Sequence, residues 1–140
     1  MGRDAPLAKP LPTLQDLNGR FHEYCAKGEL RFEACGDCGE LRHPPRMRCS
    51  RCGSDRSSWV PSSGRGEIFS WTVTHQALHP AFAADVPFAV VITELEEGVR
   101  LVSGTRDLPL DQLRLGLPVE VVLEPAAEGV VLPYVKPRVA

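Results

Sequence analysis

The stretch CGDCGELRHPPRMRCSRCG, residues 35–53, contains two identical Cys-x-x-Cys-Gly units joined by an arginine-rich spacer with two adjacent prolines. Two residues between the cysteines of a unit let both sulfur atoms turn toward a single ion. Gly39 and Gly53, which follow the two pairs, supply the backbone freedom that such a turn requires. The sequence therefore predicts one metal ion bound by four thiolates, those of Cys35, Cys38, Cys49 and Cys52.

Four thiolates complete the tetrahedral shell of zinc, whereas a catalytic zinc keeps one position open for water. We therefore expect a structural zinc site, with iron in a rubredoxin-like centre as the alternative that has the same ligands. The metal would replace a hydrophobic core in a segment too small to build one, so that its binding energy becomes folding energy. This interpretation makes residues 30–63 a zinc ribbon.

The expected compartment supports metal binding over disulfides. No apolar run approaches the ~18 residues of a membrane span, and the first residues lack the apolar segment of a secretory signal. We expect a cytoplasmic protein without membrane contact, and paired Cys-x-x-Cys units in a reducing compartment hold metal. Cys25 lies outside the pattern and is expected to be a buried packing residue.

Residues 1–29 are expected to form a proline-containing lead and one amphipathic helix at about 14–27. Apolar residues recur there at spacings of three and four, and Gly28 suits the helix end. The residues of this stripe are Leu14, Leu17, Phe21, Tyr24 and Cys25. Two alternatives stay open: the stripe packs on the chain's own core, or it docks on a partner.

From Glu67 onward the sequence changes to short β-branched and aromatic runs separated by glycine, proline and acidic turns. Five such runs favour a small closed barrel, since an immunoglobulin-like sandwich would need about seven strands. The runs are EIFSWTVTH, VPFAVVITELE, VRLVSGT, PVEVVLEP and VVLPYVKPRV. The predicted fold class is mainly β: the helix, the zinc ribbon, and a five-stranded antiparallel OB-type barrel over residues 64–140.

Composition and motifs argue against two classes of function. Acidic residues outnumber basic ones over residues 67–140, so the barrel lacks the electrostatic attraction that dominates nucleic-acid affinity. The chain shows no nucleophile–base pairing, no paired carboxylates and no glycine-rich phosphate loop, so we expect no independent catalysis. The long connection after the first barrel strand carries His79 and Phe82, which is typical of a loop that contacts a partner or covers a ligand.

The order of these motifs carries a family resemblance. An amphipathic helix precedes the double cysteine unit, GRGEIF leads into the first barrel strand, and HPAFAADVPF forms the following loop. This arrangement resembles the DUF35 family, in which a rubredoxin-like zinc ribbon is fused to an OB barrel, over roughly residues 12–137. The resemblance implies a non-catalytic accessory subunit of a thiolase-fold enzyme, either a lipid-transfer-protein-like thiolase or a steroid side-chain aldolase, that acts on acyl-CoA thioesters. A MaoC-type hydratase is a further partner that it implies.

Contacts with the partner or with CoA are expected at the helix stripe, the ribbon and the barrel loop. The ribbon arginines have guanidinium groups suited to phosphates. The expected contact residues are Leu14, Leu17, Phe21, Arg46, Arg48, His79 and Phe82. A stand-alone acyl-CoA-binding module and a zinc-ribbon/OB nucleic-acid-binding protein remain as alternative functions.

Overall fold

A computed structural model of the chain describes residues 8–139. Within that range the chain forms one α-helix, eight strands and two short 3-10 helices. These elements are α1 (Asp16–Ala26), β1 (Arg31–Cys35), β2 (Leu41–Arg42), β3 (Ser57–Pro61), β4 (Arg65–Thr74), β5 (Phe88–Leu95), β6 (Arg100–Thr105), β7 (Pro118–Ala127) and β8 (Val130–Pro137), with the 3-10 helices at Pro80–Phe82 and Leu110–Gln112. Over the described residues, no helix is both long enough and apolar enough to cross a membrane.

The ribbon is a three-stranded antiparallel sheet in the order β2-β1-β3. The central strand β1 pairs Phe32 with Val60 on one side and Glu33 with Arg42 on the other. The two cysteine turns lie outside the strands, one between β1 and β2 and one between β2 and β3. The sheet therefore holds both turns at the same end of a short scaffold.

Strands β4 to β8 form a closed barrel in the order β4-β5-β6-β8-β7. Neighbouring strands are antiparallel except for β6 and β8, which run parallel with Gly104 opposite Tyr134. Strand β5 alternates strictly between buried and half-buried residues, as expected for one face turned toward a core. The mainly β fold with a closed OB barrel is confirmed, and the parallel pair is a feature that the antiparallel prediction did not contain.

Two apolar cores stabilise the chain. One fills the barrel and contains Ile68, Ala89, Val91, Val119 and Val135. The other joins the helix, the ribbon and the barrel, and its buried members are Phe21, Cys25, Phe32, Leu95, Val99 and Leu101. Because the second core contains residues from all three regions, the ribbon is packed onto the barrel and is not connected to it by a flexible linker alone.

The shared core contains two residues of the helix stripe, Phe21 and Cys25, so these two pack on the chain's own core. Phe21 is only 4% exposed, and its ring packs against the rings of Phe32 and His43 at centroid distances of 6.0 and 4.6 Å. This burial argues against the expectation that Phe21 contacts a partner, because β1 and the barrel provide the apolar surface that the helix needs. Leu17 is half-buried, and Leu14 remains 45% exposed.

Hydrogen bonds also fix the linker that enters the barrel. The Ser62 hydroxyl donates to Glu97 at 2.7 Å, the Ser63 amide donates to Glu97 at 2.9 Å, and the Ser63 hydroxyl donates to Glu96 at 3.0 Å. Hydrogen bonds from Arg65 and then from Ser63 lower the pKa of Glu96, so this carboxylate stays charged. The segment that connects the ribbon to the barrel is thus hydrogen-bonded to the turn between β5 and β6.

Candidate metal centre and surrounding surfaces

The four predicted cysteine ligands meet at one point. Their Sγ atoms all lie within 4.8 Å of one another; Cys35 and Cys52 are 3.5 Å apart, and Cys38 and Cys49 are 3.6 Å apart. A tetrahedral ion with metal–sulfur bonds of about 2.3 Å has sulfur–sulfur edges of about 3.8 Å. The four sulfur atoms therefore fit a single tetrahedral ion.

Each cysteine turn also supplies amide donors to its first sulfur atom. The amides of Asp37 and Cys38 donate to Cys35 Sγ, each at 3.4 Å, and the amide of Arg51 donates to Cys49 Sγ at 3.4 Å. The amides of Cys38 and then Asp37 lower the pKa of Cys35 to about 6. These amides thus favour the thiolate form of Cys35, which is the form that binds metal.

The glycines of the two units have the conformation that the sequence pattern implied. Gly39 and Gly53 have φ values of 77° and 79°, a region that other residues rarely adopt. Their amides donate back to the carbonyl oxygens of Cys35 and Cys49. The four-sulfur shell leaves no position for water, so a bound ion would stabilise the fold and would not activate a substrate.

A buried ion pair holds the hairpin between the two cysteine turns. Glu33 is 1% exposed and accepts hydrogen bonds from Arg42 Nε and, at 2.8 Å, from the amide of Arg46. Arg42 Nη2 donates to the Arg46 carbonyl oxygen at 3.0 Å. Sequence reasoning missed this pair; the only signal was a charged residue between the apolar positions of β1.

The remaining expected contact residues lie on three separate elements. Leu14 and Leu17 are on the N-terminal segment and α1, Arg46 and Arg48 are on the metal hairpin, and His79 and Phe82 are on the loop between β4 and β5. Phe82 is half-buried, since it packs against Phe88 at a centroid distance of 5.9 Å and lies under Lys9 Nζ at 5.2 Å. His79, Arg46 and Arg48 are exposed.

Two apolar side chains beside these residues are highly exposed. Leu78 is 90% exposed on the loop between β4 and β5, and Met47 is 80% exposed between Arg46 and Arg48. Both are direct sequence neighbours of expected contact residues, and that adjacency was the signal that could have found them. Large apolar side chains presented in this way are typical anchors of protein interfaces.

An open pocket of about 540 Å³ lies between α1, the metal hairpin and the barrel strands β6 and β8. His22, His43, Pro44, Val102 and Tyr134 are among its lining residues. Burial lowers the pKa of His43 to about 4, so this imidazole is neutral at pH 7. The lining is mostly apolar and contains no lysine or arginine.

The fold and the metal centre together define a class: a rubredoxin-like ribbon with a four-thiolate site, packed on an OB barrel. Family models match both parts. The rubredoxin-like zinc ribbon domain of ChsH2 matches residues 22–57, and the C-terminal OB-fold domain of ChsH2 matches residues 59–124. A DUF35 domain-containing scaffold protein of Methanothermobacter thermautotrophicus is 33% identical over 100 residues, which are 71% of this chain and 74% of that protein. The chain belongs to the DUF35 family.

Two further similarities concern proteins that are named for enzymes. A probable enoyl-CoA hydratase alpha subunit of Thermomonospora curvata is 34% identical over 131 residues, 94% of this chain but only 40% of the relative. A solved structure described as the Ltp2-ChsH2(DUF35) aldolase aligns with a TM-score of 0.82 at 34% identity and covers 91% of this chain and 99% of the matched one. This chain thus spans less than half of the hydratase subunit and nearly all of the matched aldolase-complex chain.

Proposed function

We propose that this chain is a non-catalytic accessory subunit that docks on a thiolase-fold aldolase acting on acyl-CoA thioesters. The observation that carries the proposal is the similarity to a chain of the Ltp2-ChsH2(DUF35) aldolase, at 34% identity over 99% of that chain. The name of the Methanothermobacter relative, a scaffold protein, supports the same role. Substrates with a steroid side chain are the class that the family resemblance favours.

The chemistry of the described residues supports a non-catalytic role. The four metal-site cysteines are committed to a closed shell. Burial raises the pKa of Cys25 to about 11, so this remaining thiol is protonated and enclosed. Because the chain spans 40% of the Thermomonospora hydratase subunit, that relative's name does not bring its activity to this chain.

A hydratase is the second candidate partner, and the name of the Thermomonospora relative is the observation that favours it. If the partner is a hydratase, this chain would correspond to the segment of the longer Thermomonospora subunit that it matches, but as a separate protein. It would still be non-catalytic, and it would position a hydratase in place of an aldolase. The two candidates are distinguished by which enzyme responds to the chain.

We propose two surfaces for the partner contact. One is the loop with Leu78, His79 and Phe82, whose first residue is 90% exposed. The other is the hairpin tip, where Arg46 and Arg48 flank the exposed Met47. Leu14 and Leu17 would extend the contact along α1, and direct contact with the acyl-CoA substrate belongs to the same proposal.

The test is a turnover assay with purified, metal-loaded protein. Retro-aldol cleavage and hydration of acyl-CoA substrates are measured for the chain alone, for the thiolase-fold aldolase and for the hydratase of the same organism, and for each mixture. We expect no turnover by the chain alone and a higher rate or a longer-lived activity of the aldolase in its presence. Turnover by the chain alone, or an aldolase and a hydratase both unaffected by it, would contradict the proposal.

A further inference from the structure

We propose that the cleft between the metal hairpin and the turn joining β5 and β6 is a phosphate-binding site. This cleft has a volume of about 280 Å³, and Arg42, Arg46 and Arg100 line it together with His43 and Gly98. The site lies on this chain alone. Its CoA form rests on the acyl-CoA contact in the proposed function, whereas binding of inorganic phosphate does not.

The first argument is an unused donor on a buried guanidinium group. The Arg42 side chain is only 9% exposed; its Nε bonds to Glu33, and its Nη2 bonds to the Arg46 carbonyl oxygen. Its Nη1 is buried and has no hydrogen-bond partner among the residues of the described chain. An unsatisfied buried donor is costly, and an anion in the cleft would supply the missing acceptor.

The second argument is the pair of cations at the mouth of the cleft. Arg46 and Arg100 are exposed, and neither has a carboxylate within 4.0 Å in the portion of the chain described. The Arg100 guanidinium stacks on Phe69 at 3.7 Å, which fixes the orientation of its plane. The Arg46 backbone is held at both its amide and its carbonyl group by the buried ion pair.

The third argument is the sign of the local charge. Glu33 is neutralised by Arg42, and His43 is neutral at pH 7 because burial lowers its pKa. Glu94 lies opposite Arg100 in the barrel register without forming an ion pair with it. Arg46 and Arg100 therefore leave the cleft with excess positive charge.

The geometry indicates the class of anion. Planar guanidinium groups bind phosphate oxygens in pairs. Three arginine residues line this cleft, which suits a group with several equivalent oxygens. A cleft of about 280 Å³ accommodates one phosphate group and the first atoms of its ester, whereas ligand pockets for whole drug-sized molecules reach about 300–1,000 Å³. The ligand is thus inorganic phosphate or the terminal phosphate monoester of a larger molecule, such as the 3′-phosphate of CoA.

The experiment is calorimetric titration of the metal-loaded full chain with inorganic phosphate, at constant ionic strength. We expect saturable binding, and we expect Arg46→Gln and Arg100→Gln each to weaken it about tenfold, since hydrogen bonds to charged groups are among the stronger ones. The control is Arg51→Gln, which removes the same charge from the second cysteine turn, outside the cleft. It should leave the affinity within about twofold, as expected for a screened surface charge. Metal content and circular dichroism confirm that every variant is folded.

Parallel titrations with CoA and dephospho-CoA distinguish the sources of the phosphate. Binding of CoA about tenfold tighter than dephospho-CoA would assign the site to the 3′-phosphate. Saturable binding of inorganic phosphate, with neither form of the coenzyme bound more tightly than phosphate itself, would assign it to free phosphate. Absence of saturable phosphate binding at millimolar concentrations would overturn the proposal. Equal weakening by all three substitutions would also overturn it, because the effect would then be general screening.

Discussion

Cys25 and Cys35 are both buried cysteines within ten residues of one another, yet their surroundings give them opposite chemistry. Cys25 lies in an apolar core, and burial raises its pKa to about 11. Cys35 ends a strand at the point where amides of the following turn point to its sulfur atom, and they lower its pKa to about 6. The difference separates a packing thiol from a metal-binding thiolate.

Replacement of these two cysteines by serine should therefore have different results. Cys35→Ser leaves three thiolates for the ion, so we expect loss of most bound metal and a partly unfolded or insoluble ribbon. Cys25→Ser should keep the full metal content and cost about 1–3 kcal/mol, because a hydroxyl is buried in place of the thiol. Elemental analysis of the purified proteins and urea unfolding measure both effects. Wild-type protein with much less than one equivalent of zinc or iron would contradict the metal assignment.

His43 should make stability depend on pH. Burial lowers its folded-state pKa from 6.5 to about 4, so the unfolded chain binds more protons than the folded one between these values. Stability is therefore complete above about pH 6.5 and is lost as the pH falls toward 4, by about 1.4 kcal/mol for each unit crossed. His43→Gln removes this titration while it leaves the metal ligands in place.

We expect urea unfolding free energies of wild-type protein to fall by about 2 kcal/mol more than those of His43→Gln between pH 7 and pH 5. Acid release of metal affects both proteins in the same way, so the difference between them isolates the histidine. Parallel pH profiles for the two proteins would show that His43 is not buried as a neutral group.

At the scale of elements, helix α1 is the part whose role the structure changes most. Phe21 lies inside the core shared by helix, ribbon and barrel. Phe21→Ala should therefore lower the free energy of unfolding of the isolated chain by about 3–5 kcal/mol. Leu14→Ala, on a side chain that is 45% exposed, is the comparison and should cost much less. Thermal and urea unfolding measure both effects. An unchanged free energy of unfolding for Phe21→Ala would instead favour the expectation that this ring contacts a partner.

The elements differ in how far the sequence predicts them. The five barrel strands follow from apolar alternation between glycine, proline and acidic turns, and the cysteine spacing predicts the metal site because ligand geometry is local. The surface that receives Phe21 is not local, since it consists of Phe32, His43 and the barrel residue Leu101. Only the folded chain brings these residues together.

The buried pair of Glu33 and Arg42 was also beyond local reasoning. The two residues are opposite one another in the register of β1 and β2, and no short-range pattern sets that register. The proposed phosphate cleft depends on the packing of the ribbon on the barrel, because Arg100 comes from the barrel and Arg42 and Arg46 come from the ribbon. Sequence reasoning identified the ribbon arginines as phosphate-binding candidates but had no means of adding Arg100.

At the scale of the whole molecule, the shared core and the bonds from Ser62 and Ser63 to the β5–β6 turn hold the ribbon on the barrel. The exposed anchors of the two proposed docking surfaces therefore keep a fixed position relative to one another. Such preorganisation reduces the entropic cost of binding a partner. In the proposed role as an accessory subunit, this preorganisation would strengthen the contact with the partner enzyme.

Leu78 provides a direct test of the loop surface. Leu78→Ala should weaken binding to the aldolase by about tenfold or more, as truncation of a central apolar anchor does, and should leave the melting temperature of the isolated chain unchanged because the side chain is 90% exposed. Leu115→Ala is a matched control on another loop, where the side chain is 68% exposed. If wild-type protein and the Leu78→Ala variant bind the aldolase with equal affinity, the docking surface does not include this loop.

The central claim is that this chain forms a specific complex with a thiolase-fold aldolase. Light scattering coupled to size-exclusion chromatography, on the two metal-loaded proteins produced together, measures it most directly. When the two proteins are present in the ratio of the complex, the account predicts a single peak at micromolar concentration and no peak of either protein alone. The mass of this peak should equal that of a whole number of copies of each chain. Two separate peaks at the masses of the individual folded proteins would contradict it.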